Sequence, residues 1–252
     1  FHGMEEAIGS NPICSTNSRW VTIGCGALAH LVERDIRIVE ASGSSPLRST
    51  MELLMTDRQL QPDWSAYFDA TRYGAHFRLL DLAIECCGGD KKFALDLGAG
   101  ALRNTRYLLN NSFVVDAVDS SPLFAGEVNK LNNPLVRPYT VAFDTFTYKK
   151  DYYGLIVAQN ALTFNPPATF CKVIQNIKES IAPGGVFCAN FSGKNDEWAV
   201  DSAKSFTTLA DIRAFFAGMN IMLCEEWARD TVMAVGGTRH THNIDVIVQR
   251  PL

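Results

Sequence analysis

The segment Asp96-Leu-Gly-Ala-Gly100 has the residue types of a loop that binds a nucleoside-containing ligand. Glycine lets the backbone turn sharply and approach a ligand without a Cβ in the way. Asp119 follows Gly98 by 21 residues, and at this spacing an acidic side chain can accept hydrogen bonds from ribose hydroxyls. The alternative role for Asp119 is to cap the helix expected after Ser120-Ser-Pro122. Because a glycine loop lies upstream, ribose binding is the favoured interpretation.

The residue at position 102 bears on which ligand this loop binds. Binding of a dinucleotide needs a third glycine so that the helix can approach the pyrophosphate, and Leu102 stands at the position we assign to it. S-adenosylmethionine contains a ribose and an adenine but no phosphate, so it tolerates the replacement. Asp96 could order the loop or meet the methionyl ammonium group. The pattern therefore favours S-adenosylmethionine over NAD.

The glycine loop lies in a region where predicted strands and helices alternate, as in βαβ units. The apolar runs are nearly continuous, which is typical of parallel strands covered on both faces. The last two strands are joined by a Gly236-Gly237 turn without a helix, which indicates an antiparallel hairpin at one sheet edge. The sequence thus predicts an α/β fold with a doubly wound, seven-stranded, mostly parallel sheet. The predicted strands are 93–97, 114–118, 139–143, 153–158, 186–191, 221–227 and 243–249, and the predicted helices are 101–110, 123–131, 168–181 and 209–217.

Composition excludes several classes of protein. The chain has 252 residues, of which 47% are hydrophobic and 20% charged, with a net charge of −4. This is the composition of a globular protein rather than a disordered one. There is no Lys/Arg stripe of the kind that binds nucleic acid, and no apolar run reaches the roughly 18 residues of a membrane span. Residues 1–6 lack the pattern of a signal peptide, so we expect a cytoplasmic protein without nucleic-acid or membrane partners.

The cysteines do not form a recognisable metal or disulfide motif. There are seven, an odd number, with no CxxC pair. We therefore expect reduced and mostly buried thiols and no metal, with the Cys86-Cys87 pair as a weak redox or metal candidate.

Three ordered motifs resemble those of class I S-adenosylmethionine-dependent methyltransferases: Phe93 to Gly100, Asp119, and Ile181-Ala-Pro-Gly-Gly185 before a strand. Four further segments resemble, more narrowly, the tellurite-resistance-type small-molecule methyltransferases. These segments are Arg103-Asn104, Val118 to Pro122, Tyr153 to Phe164 and Phe206 to Arg213. The resemblance covers residues 62–250. It implies a Rossmann-like fold, S-adenosylmethionine as cofactor, and methyl transfer to a small-molecule acceptor by in-line attack on the sulfonium methyl.

The resemblance also implies roles for individual residues. The methionyl end would be held at the glycine loop, the ribose after the second strand and the adenine after the third strand. The cofactor-binding residues at the end of the fourth strand would face the methionine moiety and the reacting methyl. The residues, in that order, are Asp96, Gly98, Ala99 and Gly100; Asp119 and Ser120; Phe143 and Asp144; and Ala158, Gln159 and Asn160. Two positions depart from the family pattern: Leu102 replaces the third glycine, and Gly154 replaces an acidic residue early in the fourth strand.

Substrate residues are suggested by position only. Trp64 and Tyr67 lie about one helix before the first strand, where an entry helix could cover the site, and their faces would suit a sulfonium or a planar substrate. Ordinary helix packing is the alternative for both. His240 and His242 alternate along a strand and so face the same side. They could meet a substrate, or they could belong to an exposed polar turn; two histidines alone are weak evidence for a metal.

The chain divides near residue 60. We interpret residues 61–252 as the methyltransferase domain and residues 1–60 as an N-terminal extension that covers or borders the active site. No Ser-His-Asp or Cys-His set is found, so no catalytic residue is assigned. Two other functions remain open, a non-catalytic S-adenosylmethionine-binding module and, less favoured, a nicotinamide-dependent oxidoreductase. The acceptor atom is not identified by the sequence.

Overall fold

The apolar runs of the sequence form the strands of one sheet, and the segments between them form helices. The computed structural model describes residues 63–88 and 91–252, so the N-terminal extension lies outside the described residues. The strands are β1 Phe93–Leu97, β2 Val114–Val118, β3 Val136–Tyr139, β4 Tyr153–Ala158, β5 Ile181–Ser192, β6 Asn220–Val232 and β7 Thr238–Gln249. The helices are α1 Trp64–Thr71, α2 Leu79–Cys86, α3 Arg103–Asn110, α4 Phe124–Leu131, α5 Pro167–Ser180 and α6 Leu209–Phe215.

The sheet has seven strands in the order β3-β2-β1-β4-β5-β7-β6. Strands β1 to β5 are parallel, whereas β7 is antiparallel to both β5 and β6. The predicted fold class is confirmed, including the antiparallel last hairpin. Within that hairpin β7 inserts beside β5, and β6 forms the sheet edge.

Helices cover both faces of the sheet, which explains why the central strands are apolar throughout. All six residues of β4 are buried. One core cluster joins the sheet to α2, α3 and α4 and includes Leu80, Leu108 and Phe124. The other joins it to α5 and α6 and includes Ile174 and Phe216. A strand buried on both faces has no solvent side, so its sequence shows no alternation.

The position of the third strand differs from the sequence prediction. The predicted strand 139–143 is wrong, because β3 spans Val136–Tyr139 and pairs only with β2. Pro138 lies within β3 at the edge of the sheet, and an edge strand tolerates a residue that lacks a backbone N–H. The shift leaves residues 140–143 in the loop that follows β3, at the carboxyl edge of the sheet.

The strand order reverses between β1 and β4. The chain builds outward from β1 to β2 and β3, then crosses back to place β4 on the other side of β1. In open α/β sheets the crevice at the carboxyl ends of the two strands flanking such a reversal is the usual ligand site. Within the described residues, no helix is both long and apolar enough to span a bilayer.

Candidate active site

The glycine loop after β1 is anchored to β2 and packs against the chain that follows β4. The N–H groups of Gly98 and Ala99 donate to the Val118 carbonyl at 2.8 and 3.0 Å. Gly98 and Gly100 have φ values of 74° and 50°, which favour glycine. A Cβ on Gly98 would lie 2.4 Å from the Cβ of Ala161. The loop therefore needs glycine at position 98 for two reasons, its backbone conformation and the lack of space.

Leu102 adopts the left-handed conformation that a glycine would normally hold. Its φ is 63°, and its side chain is fully buried in the core cluster that faces α2, α3 and α4. The side chain therefore does not project into the cleft, and its bulk does not by itself exclude a pyrophosphate. The buried Leu102 thus gives no steric reason to exclude NAD, contrary to the expectation from sequence. The replacement instead keeps the backbone path of the loop and adds buried apolar surface.

Asp96, the first acidic residue of the motif, is fully buried beneath the loop. Its Oδ2 accepts a hydrogen bond from Thr105 Oγ1 at 2.6 Å, and its Oδ1 has no hydrogen-bond partner. Burial raises the pKa of Asp96 to about 6, an effect that the Thr105 bond partly opposes. The carboxylate holds the first turns of α3 against β1 and so orders the loop between them.

Asp119, which follows β2, links the glycine loop to the next turn. Its Oδ2 accepts from the N–H of Gly100 at 2.9 Å, and its Oδ1 accepts from the N–H of Ser121 at 2.8 Å. The Ser121 bond is the local turn interaction expected of a capping residue, and the Gly100 bond ties the side chain to the loop. Burial raises the pKa of Asp119. Each carboxylate oxygen has a second lone pair, so both can still accept from hydroxyl groups. Ser120 beside it is exposed.

Phe143, in the segment after β3, reaches the glycine loop. Its Cζ lies 3.7 Å from the position that a Cβ on Gly98 would occupy. Asp144 is half-buried and its charge contributes to a raised pKa of Tyr148. The structure thus brings Phe143 to the loop, while the contact of Asp144 with an adenine stays a prediction.

The residues after β4 are held from two directions. Gln159 accepts hydrogen bonds through Oε1 from Arg103 Nη2 at 2.7 Å and from Asn104 Nδ2 at 3.2 Å. Asn160 is exposed with a φ of 50°, and its N–H donates to Asn190 Oδ1 at 2.7 Å. Ala158 is buried at the end of β4.

Asn190 and the contact made by Asn104 were missed by sequence reasoning. Asn104 is buried, and besides its bond to Gln159 it accepts from the N–H of Phe77 at 2.8 Å, which connects the segment before α2 to the site. An amide inside the apolar run of β5 was the available signal for Asn190, since buried amides need partners.

Helix α1 lies beside the glycine loop. Phe68 is buried, and its Cε2 is 3.9 Å from the Cβ position of Gly100. Trp64 makes edge-on ring contacts with Tyr67 at 5.8 Å and with Phe164 at 5.0 Å between centroids. Phe164, which sequence reasoning did not assign, follows the β4 loop directly. Trp64 and Tyr67 are therefore near the cleft, and their contact with a substrate stays a prediction.

The two histidines have protein partners. His240 Nδ1 lies 2.8 Å from Asp230 Oδ1. His242 is buried; its Nδ1 accepts from the N–H of Asn195 at 3.0 Å and its Nε2 lies 2.9 Å from Glu226 Oε1. Because a backbone N–H occupies Nδ1, the neutral ring carries its proton on Nε2. His242 thus holds the segment after β5, and a substrate role for either histidine stays a prediction.

No metal site is found in the described part of the chain, where no group of three or more His, Cys, Asp or Glu side chains could hold an ion. Burial raises the pKa of the Cys87 thiol to about 12, and its Sγ lies 3.3 Å from the Gly154 carbonyl. A thiol with such a pKa is not a reactive thiolate at neutral pH. The structure therefore gives no support to a redox or metal role for the Cys86-Cys87 pair.

Solved structures of methyltransferases share this fold at low sequence identity. TehB from Haemophilus influenzae aligns with a TM-score of 0.59 and 15% identity, over 71% of this chain and 63% of that chain. NodS, an N-methyltransferase from Bradyrhizobium japonicum WM9 solved with S-adenosyl-L-homocysteine, gives 0.56 and 18%, over 77% and 96%. A SAM-dependent methyltransferase from Methanosarcina mazei gives 0.52 and 12%, over 71% and 99%. No curated protein sequence matches the chain.

The strand order and the glycine loop at the β1–β4 reversal are those of a class I S-adenosylmethionine-dependent methyltransferase, and S-adenosylmethionine is the cofactor of this class. Within the class, the family model of the tellurite resistance protein TehB matches residues 80–227, more than half of the chain. The chain therefore belongs to the TehB family. It spans 63% of the length of the Haemophilus influenzae TehB chain.

The residues at the site fit this cofactor. The carboxylate of Asp96, whose buried Oδ1 has no hydrogen-bond partner, has the charge that attracts a methionyl ammonium group. A Cβ on Gly98 would fill the space between the loop and Ala161. Asp119 keeps lone pairs for ribose hydroxyls. These are groups that the amino-acid end and the ribose of the cofactor require, and their contacts with the cofactor stay predictions.

Proposed function

We propose that this protein transfers the methyl group of S-adenosylmethionine to a small-molecule acceptor. The observation that carries the proposal is the glycine loop at the reversal of strand order between β1 and β4, where the loop packs on Ala161 and Asp119 binds the N–H of Gly100. Membership in the TehB family supports it, and so does the similarity to NodS, which was solved with S-adenosyl-L-homocysteine. The family name makes tellurite a reasonable first acceptor to test.

The protein would contribute mainly by positioning the acceptor, and less by proton transfer. When bound, S-adenosylmethionine supplies a methyl group that is already activated on a sulfonium. The protein must hold an acceptor in line with that methyl, and alignment of this kind supplies a large part of a rate enhancement. Trp64 and Phe164 would exclude water from the acceptor side. An anionic acceptor needs no general base, which is consistent with the lack of a catalytic triad in the sequence.

Cofactor binding by isothermal titration calorimetry is the first test. We expect S-adenosylmethionine and S-adenosylhomocysteine to bind, and NAD, which the buried Leu102 does not by itself exclude, tests the less favoured nicotinamide-dependent oxidoreductase. Asp119→Ala should weaken binding of S-adenosylhomocysteine by roughly 2 to 3 kcal/mol, because two hydroxyl bonds to a charged acceptor are lost. Asp151→Ala, at the amino end of β4, is the control and should leave the dissociation constant unchanged. An unchanged dissociation constant for Asp119→Ala would remove this residue from the site.

Release of S-adenosylhomocysteine in the presence of tellurite, selenite or thiophenolate tests the reaction itself. We expect at least one of these acceptors to be methylated, with the product identified by mass spectrometry. Tight cofactor binding without turnover of any acceptor would favour the non-catalytic binding module over the enzyme.

A further inference from the structure

Two asparagine side chains meet where β4 and β5 reach the carboxyl edge of the sheet. Asn160 follows β4 in a left-handed conformation with a φ of 50°. Asn190 lies in β5 and is only 6% exposed. The N–H of Asn160 donates to Asn190 Oδ1 at 2.7 Å, and Asn190 Nδ2 donates to Asn160 Oδ1 at 2.5 Å.

This pair of bonds fixes the orientation of both amides. Amide orientation is often ambiguous because oxygen and nitrogen look alike. Here a backbone N–H can only donate, so the atom of Asn190 that faces it is oxygen. The other amide atom of Asn190 is therefore nitrogen, and the atom of Asn160 that it meets must be oxygen. The Nδ2 of Asn160 is left on the side away from Asn190, where it donates to no described residue.

The location of Asn160 places this amide on the acceptor side of the cleft. The next residue, Ala161, packs on Gly98 of the glycine loop, and Asn190 belongs to the strand beyond β4, farther from β1. Asn160 thus lies between the cofactor loop and β5, and it is exposed. An asparagine tolerates the left-handed backbone better than other residues with side chains, so the brace from Asn190 holds one defined conformation.

We propose that the Nδ2 of Asn160 recognises the methyl acceptor by donating a hydrogen bond, and that Asn190 is its positioning residue. The acceptor is then a molecule with a lone-pair-bearing atom, such as an oxyanion or carboxylate oxygen, beside the nucleophile. A molecule that presents an N–H or O–H at that place is disfavoured, because two donors would face each other. The inference rests on the proposed methyl transfer and adds the chemical class of the acceptor.

Asn160→Asp is the decisive variant because it keeps the shape of the side chain. One carboxylate oxygen still accepts from Asn190, while the other replaces the outward donor with a charged acceptor. We expect the S-adenosylhomocysteine dissociation constant to stay within threefold and the KM for the acceptor to rise at least tenfold. Asn132→Asp is the matched control, since Asn132 is also exposed and left-handed, with a φ of 44°, at the end of α4.

The probes are tellurite, selenite and a matched pair of thiolates. Thiosalicylate carries a carboxylate beside its thiolate, and thiophenolate lacks it. We expect wild type to prefer thiosalicylate, and Asn160→Asp to lose that preference. Asn190→Ala should raise the KM while leaving cofactor affinity within threefold, because the amide of Asn160 is no longer held. Circular dichroism and the melting temperature verify that each variant is folded.

A readout independent of turnover is the side-chain amide signal of Asn160 in ¹⁵N–¹H spectra, assigned by its disappearance in Asn160→Asp. We expect it to shift when tellurite, selenite or thiosalicylate is added to the S-adenosylhomocysteine complex. If none of the three shifts this signal, or if Asn160→Asp keeps the wild-type KM, the inference is overturned while cofactor binding stands. If wild type does not bind S-adenosylhomocysteine at all, the proposed function itself fails.

Discussion

Asp96 is a buried carboxyl group whose ionisation couples the stability of the folded protein to pH. It is fully buried, has one hydrogen bond from Thr105, and has a pKa of about 6 instead of 3.8. Burial disfavours the charged form because the interior solvates it poorly. The folded protein therefore keeps the proton over a pH range in which the unfolded chain has lost it. This carboxyl contributes stability at low pH that is lost as the pH rises through 6.

Asp96→Asn should remove this dependence on pH, since the amide oxygen can still accept from Thr105. Relative to the variant, wild type should lose about 1 kcal/mol of unfolding free energy between about pH 5 and about pH 8. Urea unfolding of both proteins at the two pH values measures the difference. A difference that does not change with pH would show that Asp96 ionises normally in the folded protein.

The backbone conformation of Leu102 is energetically unfavourable, whereas the burial of its side chain is favourable. Its left-handed conformation, with a φ of 63°, costs about 1 to 2 kcal/mol for a residue with a Cβ, whereas its side chain is completely buried. Leu102→Ala and Leu102→Gly should each lower the free energy of unfolding by about 2 to 5 kcal/mol through lost side-chain packing. We expect the glycine variant to be about 1 kcal/mol more stable than the alanine variant, because only glycine relieves the backbone.

Leu108, buried within α3, provides the control for this comparison. There the order should reverse, with alanine more stable than glycine by about 1 kcal/mol, as in any helix interior. The denaturant concentrations at the unfolding midpoints of the four variants, alanine and glycine at positions 102 and 108, measure both differences. Alanine above glycine at both positions would argue against a left-handed Leu102.

At the scale of elements, β4 shows why glycine stands at position 154, where the resemblance implied an acidic residue. A Cβ on Gly154 would lie 2.1 Å from the carbonyl oxygen of Lys91, so the chain entering β1 passes directly against the strand. An acidic side chain has no room there. The replacement by glycine is thus explained by packing, and it does not remove a group from the cleft.

Gly154→Ala should destabilise the protein by about 1 to 3 kcal/mol, since the backbone must shift to admit the methyl group. Gly126→Ala is the matched change in an open position, because nothing lies within 4 Å of its Cβ. Gly126 lies inside α4, so alanine should stabilise the protein there by about 1 kcal/mol. Thermal unfolding of Gly154→Ala and Gly126→Ala measures both changes in stability. Equal changes would contradict the close approach of the Lys91 carbonyl to Gly154.

At the scale of the whole molecule, the role of the N-terminal extension, residues 1–60, depends on whether it lies near the proposed active site. The entry helix α1 brings Phe68 to within 3.9 Å of the Cβ position of Gly100. Trp64, the first residue of α1, contacts Phe164 after β4, so α1 begins beside the proposed active site. We propose that residues 1–60 cover or border the acceptor pocket, which would exclude water during methyl transfer.

Deletion of residues 1–58 should leave the affinity for S-adenosylhomocysteine within a few-fold and lower the turnover of the acceptor, because all the proposed cofactor residues lie after residue 60. Calorimetry and release of S-adenosylhomocysteine measure the two effects. If the shortened protein methylates as well as the full chain, the extension is a separate interaction element.

Much of the fold could be predicted because its signals are local. Apolar runs, helical patterns and the Gly236-Gly237 turn depend on residues close in sequence, and they predicted seven strands and an antiparallel last hairpin. The glycine loop and Asp119 were likewise recognisable from type and spacing. The third strand was misplaced since its position depends on pairing with β2, and the proline at position 138 is acceptable only at an edge.

The sequence by itself determined the class of fold and the loop around which the candidate site is built. Only the tertiary structure decided which way side chains face and which distant residues meet. Leu102 turned into the core, His242 found partners on two other segments, and Asn160 paired with a residue 30 positions away. Such contacts leave no periodic trace in the sequence, because they depend on how the crossovers bring the ends of the strands together at one edge of the sheet.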